Sequence, residues 1–230
     1  NPVDIMEGER YHAPLEPFGG MGQINWSPDS KSITYTCKKL TGKEYAESTN
    51  SEIYIYDLES KETRNLTRDK HEGYDQAAVY SPNGEMIAWE SMRRDGYEAD
   101  KNRIFVYNFT TGEETNYSVD FEQNAHGLTW SADSKKIYFT SDWHARFQVY
   151  ELDIEKGQIR QITEGIHNYQ SVAPAGDVLI GSKQSMSQPT EIYSINPQSG
   201  EERQLSFINK NLMDQLTMGK VEKRWIETTD

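Results

Sequence analysis

The stretch QAAVYSPNGEMIAWES, residues 76–91, decides the fold of this chain. It places two short runs, rich in aromatic and other apolar residues, on either side of an Asn-Gly turn, which is the pattern of a β-hairpin. The runs RIFVYNF (103–109) and EETNYSV (113–119) follow, with a Thr-Gly turn between them. Together these runs predict four antiparallel strands within one unit of the chain.

The same unit recurs, marked by three motifs in a constant order. Turn motifs begin at Ser27 (SPDS), Ser81 (SPNG), Ser131 (SADS) and Ala173 (APAG), at spacings of 54, 50 and 42 residues. Strand motifs follow as IYIYDLES from Ile53, IFVYNFTTG from Ile104, QVYELDIEKG from Gln148 and EIYSINPQSG from Glu191. Each unit closes on RNLT at Arg64, TNYS at Thr115, RQIT at Arg160 or RQLS at Arg203. Three motifs in four copies indicate an internal repeat.

Four antiparallel strands in 42 to 54 residues are the size of a β-propeller blade. The sequence therefore predicts an all-β protein, a partial propeller of about four and a half blades. Blades are expected at about 21–70, 71–122, 123–166 and 167–207, after outer strands of a preceding blade at 1–20. Residues 208–230 are expected to form an exit strand or linker. Because this number of blades does not close a ring comfortably, we expect the chain to be part of a longer protein.

Composition excludes several classes of function. The 230 residues carry 37 acidic and 24 basic side chains, a formal charge of −13, which argues against binding to nucleic acid or to an anionic membrane. Apolar runs are far shorter than the roughly 18 residues of a membrane span, so no span is expected. Cys37 is the single cysteine, which excludes an internal disulfide and a thiolate zinc site.

Aromatic residues recur at two positions of the repeat and are expected to pack between blades. Trp26, Tyr80 and Trp130 precede the turn, and Tyr35, Trp89 and Phe139 lie in the second strand. Stacked blades need such a shared apolar core, because one blade cannot bury both of its faces. We therefore expect no cofactor at these positions.

The longer connections should lie on one face, since a four-stranded meander puts its first and third turns on the opposite side. The longer connections are residues 38–52, 92–102, 142–147, 68–75 and 164–169. Loops held by a rigid scaffold are where binding residues concentrate, so this loop face is the candidate working surface. Four histidines, His71, His126, His144 and His167, fall there. They belong to separate blades and lack metal-ligand spacing, so no metal site is expected.

Catalytic residues are not expected within this segment. No G-x-S-x-G nucleophile elbow occurs, and no helix-sized amphipathic segment is present to support one. Carboxylate pairs at Glu113–Glu114 and Glu201–Glu202 follow tight turns and are expected on a solvated edge.

Several stretches resemble the amino-terminal propeller of the prolyl oligopeptidase family of serine peptidases, in its dipeptidyl-peptidase and acylaminoacyl-peptidase branch. They are VDIMEGERYHAPLEPFGG leading into NWSPDS, RRDGYEADKNRIFVYN, TSDWHARFQVYELD and the exit VEKRWIETTD. The SPD turn alone is also found in Tol-type periplasmic propellers. The resemblance implies a carboxy-terminal α/β-hydrolase domain on the same polypeptide, short peptide substrates, and a periplasmic or secreted location. The alternative is a Tol-like propeller that binds proteins and has no catalytic domain.

Candidate substrate contacts follow from the loop face and from side-chain chemistry. Arg146 has a planar fork suited to a carbonyl or carboxylate, and Trp143, His144 and Phe147 flank it. In relatives the propeller supplies acidic residues for the substrate amino group, but this chain lacks the paired-glutamate helix of the best-known branch. Glu98 is the local candidate for an ammonium partner, with Arg93 nearby. The alternative role for each residue is an inter-blade or interdomain salt bridge.

Overall fold

The computed structural model describes residues 3–68 and 70–229, and its strands form four antiparallel sheets of four strands each. The first sheet contains β1 (Ile24–Trp26), β2 (Ser32–Cys37), β3 (Glu52–Asp57) and β4 (Thr63–Asn65). The second contains β5 (Asp75–Tyr80), β6 (Met86–Ser91), β7 (Arg103–Asn108) and β8 (Glu114–Asn116). The third contains β9 (His126–Trp130), β10 (Lys136–Trp143), β11 (Arg146–Asp153) and β12 (Gln158–Gln161). The fourth contains β13 (Asn168–Ala175), β14 (Val178–Ser185), β15 (Gln188–Ile195) and β16 (Glu202–Gln204).

Each sheet pairs its strands in chain order, which is the meander of a propeller blade. The predicted all-β fold of four-stranded blades is confirmed, and each sheet lies within one of the four expected ranges. In the described part the helices are short: α1 (Gly42–Glu47), α2 (Lys210–Met213) and a 3-10 turn at Met21–Gln23. None of the helices found there is long and apolar enough to cross a membrane.

The repeated Ser-containing turns share one hydrogen-bonding pattern, which explains the motif. In blades 1 to 3 the Ser hydroxyl donates to the side-chain oxygen two residues later and accepts the backbone N–H five residues later. The donated bonds are Ser27–Asp29 at 2.7 Å, Ser81–Asn83 at 2.7 Å and Ser131–Asp133 at 2.6 Å. The accepted bonds, from the N–H groups of Ser32, Met86 and Lys136, are each 2.9 Å long. The motif therefore fixes the first hairpin of each of these blades.

The Ser or Thr that ends each closing motif ties the outer strand to the third strand. Its hydroxyl accepts a backbone N–H from that strand in all four blades. The bonds run from Ile53 to Thr67 (3.1 Å), Ile104 to Ser118 (2.9 Å), Val149 to Thr163 (2.9 Å) and Ile192 to Ser206 (2.8 Å). Since β4, β8 and β16 have only three residues each, this bond extends their pairing beyond the strand itself.

Apolar side chains from neighbouring blades form the cores. The largest cluster joins Ala88, Ile104 and Val106 of blade 2 to Trp130, Phe139 and other residues of blade 3. Trp130 also donates its indole N–H to the Val79 carbonyl of the neighbouring blade, at 3.1 Å. Five of the six aromatic residues expected between blades are buried or half-buried. Trp26 is 59% exposed, because it lies on the face of blade 1 that no described blade covers.

An aromatic pair stacks between the second and third strands of blades 1 to 3, but blade 4 builds it differently. The stacked pairs are Tyr35–Tyr54, Trp89–Phe105 and Phe139–Tyr150, with ring centroids 5.5 to 5.7 Å apart. In blade 4 the second-strand position is Gly181, which pairs with Tyr193. The ring of Tyr169 fills the space, since a Cβ on Gly181 would lie 2.7 Å from it. Tyr169 is 1% exposed.

The two ends of the chain differ from expectation. The described residues of 1–20 and 208–230 contain no strand, so the outer strands of a preceding blade and the exit strand are not formed there. The amino-terminal segment instead covers the open face of blade 1, where Met6, Tyr11 and Ala13 pack against Tyr35, Cys37 and Tyr54. Burying this apolar face gives those residues a packing role without strand pairing. Residues 1, 2, 69 and 230 lie outside the described part.

Candidate functional site

The candidate site lies at the hairpin that joins β10 and β11. Residues 142–147 were expected to form a longer loop, but β10 ends at Trp143 and β11 begins at Arg146. His144 and Ala145 form the turn with φ of 52° and 61°, the left-handed conformation that two-residue hairpins favour. Trp143 and Arg146 pair directly across the strands, so their side chains project from the same face.

Arg146 and Trp143 line a cavity of about 270 Å³. The remaining lining residues are Gln148, Tyr150, Gln161, Glu164 and Gly165. Trp143 is 46% exposed, which leaves an aromatic surface accessible beside the cavity. Phe147, expected to flank Arg146, is not in this wall because alternate residues of a strand face opposite sides; its ring lies 6.0 Å from that of His126.

The guanidinium of Arg146 retains unused hydrogen-bonding capacity. Nη1 donates a long bond of 3.4 Å to the Gly165 carbonyl, and the buried Nε has no acceptor among residues 3–68 and 70–229. No carboxylate in those ranges forms an ion pair with this side chain, although Glu164 lines the same cavity. A buried donor without a partner is costly, so a ligand carbonyl or carboxylate that accepted these N–H groups would bind favourably.

His144 links the hairpin to the carboxy-terminal segment. Its ring packs on that of Trp143 in a tilted arrangement, at a centroid distance of 4.5 Å, and meets the Trp225 ring edge-on at 4.9 Å. The next hairpin also contacts this segment, since the Ser187 hydroxyl donates to the Gly219 carbonyl at 3.4 Å. The carboxy-terminal segment therefore lies against the β10–β11 and β14–β15 hairpins, beside the Arg146 cavity.

Glu98 lines a second cavity, of about 430 Å³, between blades 1 and 2. It accepts a 3.4 Å hydrogen bond from the Tyr74 hydroxyl. Lys38 is also in the wall, but its ammonium donates to the carbonyls of Tyr45 and Ser48, each at 2.6 Å. The Lys38 charge is thus directed at the backbone, which leaves the Glu98 carboxylate able to accept an ammonium from a ligand.

Arg93 lines a third cavity, of about 480 Å³, together with Lys70, His71, Arg103 and Phe105. Its backbone N–H donates to the Asp100 carboxylate at 2.9 Å, while its guanidinium forms no ion pair within the described ranges. The five predicted contact residues therefore do not converge. Trp143, His144 and Arg146 lie together at one hairpin, and Glu98 and Arg93 line two other cavities.

Sequence reasoning missed a set of histidine–carboxylate pairs, with His71 and His167 in inter-blade crossings and His126 at the start of β9. The distances are 3.2 Å for His71–Glu114, 3.5 Å for His126–Asp142 and 3.4 Å for His167–Glu202. The expectation that Glu114 and Glu202 lie on a solvated edge is wrong, because their side chains are only 17% and 18% exposed. A histidine at or near the start of blades 2 to 4 was the available signal, but for His71 and His167 the partner carboxylate lies in the last strand of the blade, far along the chain.

Burial and neighbouring charges shift the carboxylate pKa values at the two buried pairs, His167–Glu202 and His71–Glu114, in ways that can be explained. Burial acts to raise the pKa of Glu202, but contacts with His167 and Lys183 outweigh it and lower that pKa to about 2. Asp75, beside the other pair, behaves in the opposite way: burial dominates and raises its pKa to about 6. Its carboxylate accepts the Trp89 indole N–H at 3.2 Å, and its second oxygen is buried without a partner in the described part.

Replacing Asp75 by asparagine should remove a pH-dependent loss of stability. Since the folded-state pKa of about 6 exceeds the unfolded value of about 3.9, the folded protein loses stability as pH rises through this window. Two pKa units correspond to on the order of 2 to 3 kcal/mol. We expect the free energy of unfolding of Asp75→Asn, relative to that of wild type, to rise by on the order of 2 kcal/mol between about pH 4 and about pH 7, as measured by urea unfolding.

Glu114→Gln provides the control of opposite sign. Although burial acts to raise the pKa of Glu114, its contacts with His71 and Lys70 lower it, so this carboxylate stabilises the fold above its ordinary titration range. The variant should therefore lose stability relative to wild type as pH rises. A stability difference for Asp75→Asn that stays constant with pH would contradict the assignment.

No three His, Cys, Asp or Glu side chains are grouped as metal ligands in the part of the chain that the structure describes.

Comparison with known proteins gives a consistent family. The TolB beta propeller domain family matches residues 21–215. Dipeptidyl-peptidase 5 of Porphyromonas gingivalis is 42% identical over 227 residues, which are 99% of this chain and 33% of the relative. The chain thus spans about a third of the length of the curated relatives it matches first.

Solved structures share the fold. The acylaminoacyl peptidase of Pyrococcus horikoshii superposes with a TM-score of 0.64 at 22% identity, covering 84% of this chain and 28% of that one. TolB of Acinetobacter baumannii gives a TM-score of 0.59 at 18% identity, covering 80% and 43%. The predicted resemblance to a peptidase propeller is confirmed by the match to dipeptidyl-peptidase 5, and the likeness to TolB shows the blade architecture.

Proposed function

Because the chain belongs to the TolB β-propeller domain family, with a dipeptidyl-peptidase among its relatives, we propose that it is the noncatalytic propeller of a serine exopeptidase. The match to dipeptidyl-peptidase 5 at 42% identity carries this proposal, since it extends over 99% of the chain. Only 33% of that relative is covered, which leaves room there for a catalytic domain. The proposed parent protein combines this propeller with a carboxy-terminal α/β-hydrolase domain, in the periplasm or outside the cell.

The proposed role of the propeller is to restrict and orient short peptides. The Arg146 cavity supports it, because the buried Nε–H without a partner, beside an exposed indole, can donate a hydrogen bond to a peptide carbonyl or carboxylate. The exit segment passes the same hairpin at Trp225 and so would place a following domain over the loop face. Glu98, in its own cavity, is the proposed partner for a substrate ammonium. Arg93, in the third cavity, is the proposed partner for an acidic group of the substrate.

The first test compares the isolated propeller with the complete parent protein. The purified 230-residue chain should hydrolyse no dipeptidyl or acylaminoacyl chromogenic substrate, and a fluorophosphonate serine probe should not label it. The parent protein should be labelled once per chain and should release dipeptides. Labelling of the isolated chain, or a parent without peptidase activity, would refute the proposal.

The alternative function is a Tol-like propeller that binds other proteins without any catalytic domain. The shared fold with TolB supports it, although at 18% identity that likeness concerns architecture alone. The parent's activity decides between the two: a Tol-like protein would not react with the serine probe, whatever proteins it bound.

A further inference from the structure

The crossing between blades 3 and 4 forms part of the wall of the Arg146 cavity. Glu164 and Gly165 both line it. The Gly165 carbonyl accepts from Arg146 Nη1 and from Gln148 Nε2, each at 3.4 Å. Gln148 Nε2 also donates to the His167 carbonyl at 2.9 Å. The direction of the Arg146 guanidinium therefore depends on where this crossing holds its carbonyl groups.

The side chain of His167 holds the crossing against blade 4. Its Nε2 lies 3.4 Å from Glu202 Oε1, an ion-pair distance rather than a well-aligned hydrogen bond, and Lys183 also binds this carboxylate. The imidazole is only 13% exposed and meets the Tyr169 ring edge-on at 5.4 Å. Because contacts with His167 and Lys183 lower the pKa of Glu202 to about 2 against the effect of burial, the carboxylate stays charged at working pH.

The imidazole also packs closely against the crossing itself. Gly165 has a φ of 148°, and a Cβ at this position would lie 2.6 Å from atoms of the His167 ring. The ring thus occupies the space that a side chain at 165 would need. Displacing the ring would free the Gly165 peptide, whose carbonyl accepts the hydrogen bond from Arg146 Nη1.

We propose that His167 is a positioning residue for the Arg146 cavity. Anchored on Glu202, it fixes the Gly165 carbonyl, which in turn directs the guanidinium toward the space where a peptide carbonyl or carboxylate would bind. This inference rests on the proposed function for its consequence in catalysis. The positioning itself concerns residues of this chain alone and is measurable without any peptidase activity.

The chain offers a closely matched control in blade 2. His71 and Glu114 form an equivalent pair at 3.2 Å, with side-chain exposures of 14% and 17%, against 3.4 Å, 13% and 18% for His167 and Glu202. His71 lines a different cavity, whose wall does not include Arg146. An effect specific to positioning should therefore appear for His167 and not for His71.

The first experiment measures the accessibility of Arg146 in the purified chain. Phenylglyoxal modification of each arginine is followed by peptide mass spectrometry, with Arg224 as an exposed reference. We expect His167→Ala to raise the modification rate of Arg146 relative to Arg224 by about fivefold, the ratio that corresponds to losing the hydrogen bond from Arg146 Nη1 to the Gly165 carbonyl. His167→Gln retains a donor for Glu202 and should stay near wild type, as should His71→Ala. An unchanged Arg146 rate in His167→Ala, or an equal rise in His71→Ala, would overturn the proposal.

The second experiment uses the complete parent peptidase. His167→Ala should raise KM for peptide substrates by about fivefold with kcat changed less than about twofold, and His167→Gln should restore KM. In an Arg146→Ala background the His167 substitution should add nothing, because both act through one guanidinium. If Arg146→Ala leaves KM unchanged, the proposed function of the cavity fails while the modification assay still decides the positioning role. A full additional KM effect in the double variant would overturn the positioning role.

Discussion

Tyr169→Ala should destabilise the propeller by about 3 to 5 kcal/mol, the range for deleting a fully buried large aromatic side chain. Tyr169 is 1% exposed and packs with Tyr138, Leu179 and Tyr193 in the core between blades 3 and 4. It also supplies the ring that the second strand of blade 4 lacks, since that position is Gly181. Removing the ring leaves a cavity above a glycine, which has no side chain with which to fill it.

Urea unfolding of the chain measures this effect, and two further variants isolate its cause. Tyr169→Phe should change the free energy of unfolding by less than about 1 kcal/mol, because the buried hydroxyl has no hydrogen-bond partner in the described residues. Gly181→Ala should destabilise, since its Cβ would lie 2.7 Å from the Tyr169 ring. A stable Tyr169→Ala, or a Tyr169→Phe as damaging as Tyr169→Ala, would show that the ring does not support blade 4.

Arg146→Ala in the complete parent peptidase should lower kcat/KM for peptide substrates by about 10- to 100-fold. A hydrogen bond to a charged group contributes about 1.5 to 3 kcal/mol, which corresponds to this range of rates. Folding stability should change little, because the guanidinium makes only one long bond of 3.4 Å and leaves its buried Nε unpaired. The side chain is thus better placed to bind a ligand than to stabilise the blade.

Steady-state kinetics with several peptides, together with thermal unfolding, test this expectation. Arg146→Lys keeps the charge but loses the planar fork, so it should recover only part of the activity. Arg203→Ala is a control for the loss of one arginine, since Arg203 is exposed on β16 and does not line the Arg146 cavity. Unchanged kinetics for Arg146→Ala across all substrates would remove this residue from the site.

The candidate site was only partly predictable. The chemistry of its guanidinium identified Arg146 as a candidate, and the order of turns in a four-stranded meander predicted that it lies on the loop face. The flanking residue was misjudged: Phe147 was expected beside Arg146, whereas Tyr150 lines the cavity. The sequence predicts a loop at residues 142–147, in which neighbouring side chains can face the same way, whereas the chain continues both strands to a two-residue turn.

The sequence by itself determined the blade architecture, because the information that specifies a blade is local and repeated. The turn serines of blades 1 to 3, the closing Ser or Thr of all four blades, and the short apolar strands each act within one unit, so each unit specifies its own blade. Only the tertiary structure decided which side chains from different units meet. The pairing of His167 with Glu202, and the use of the Tyr169 ring to fill the space above Gly181, depend on contacts between strands that periodicity does not specify. The same holds for Trp26, whose repeat position matches that of the buried Trp130 but which is 59% exposed.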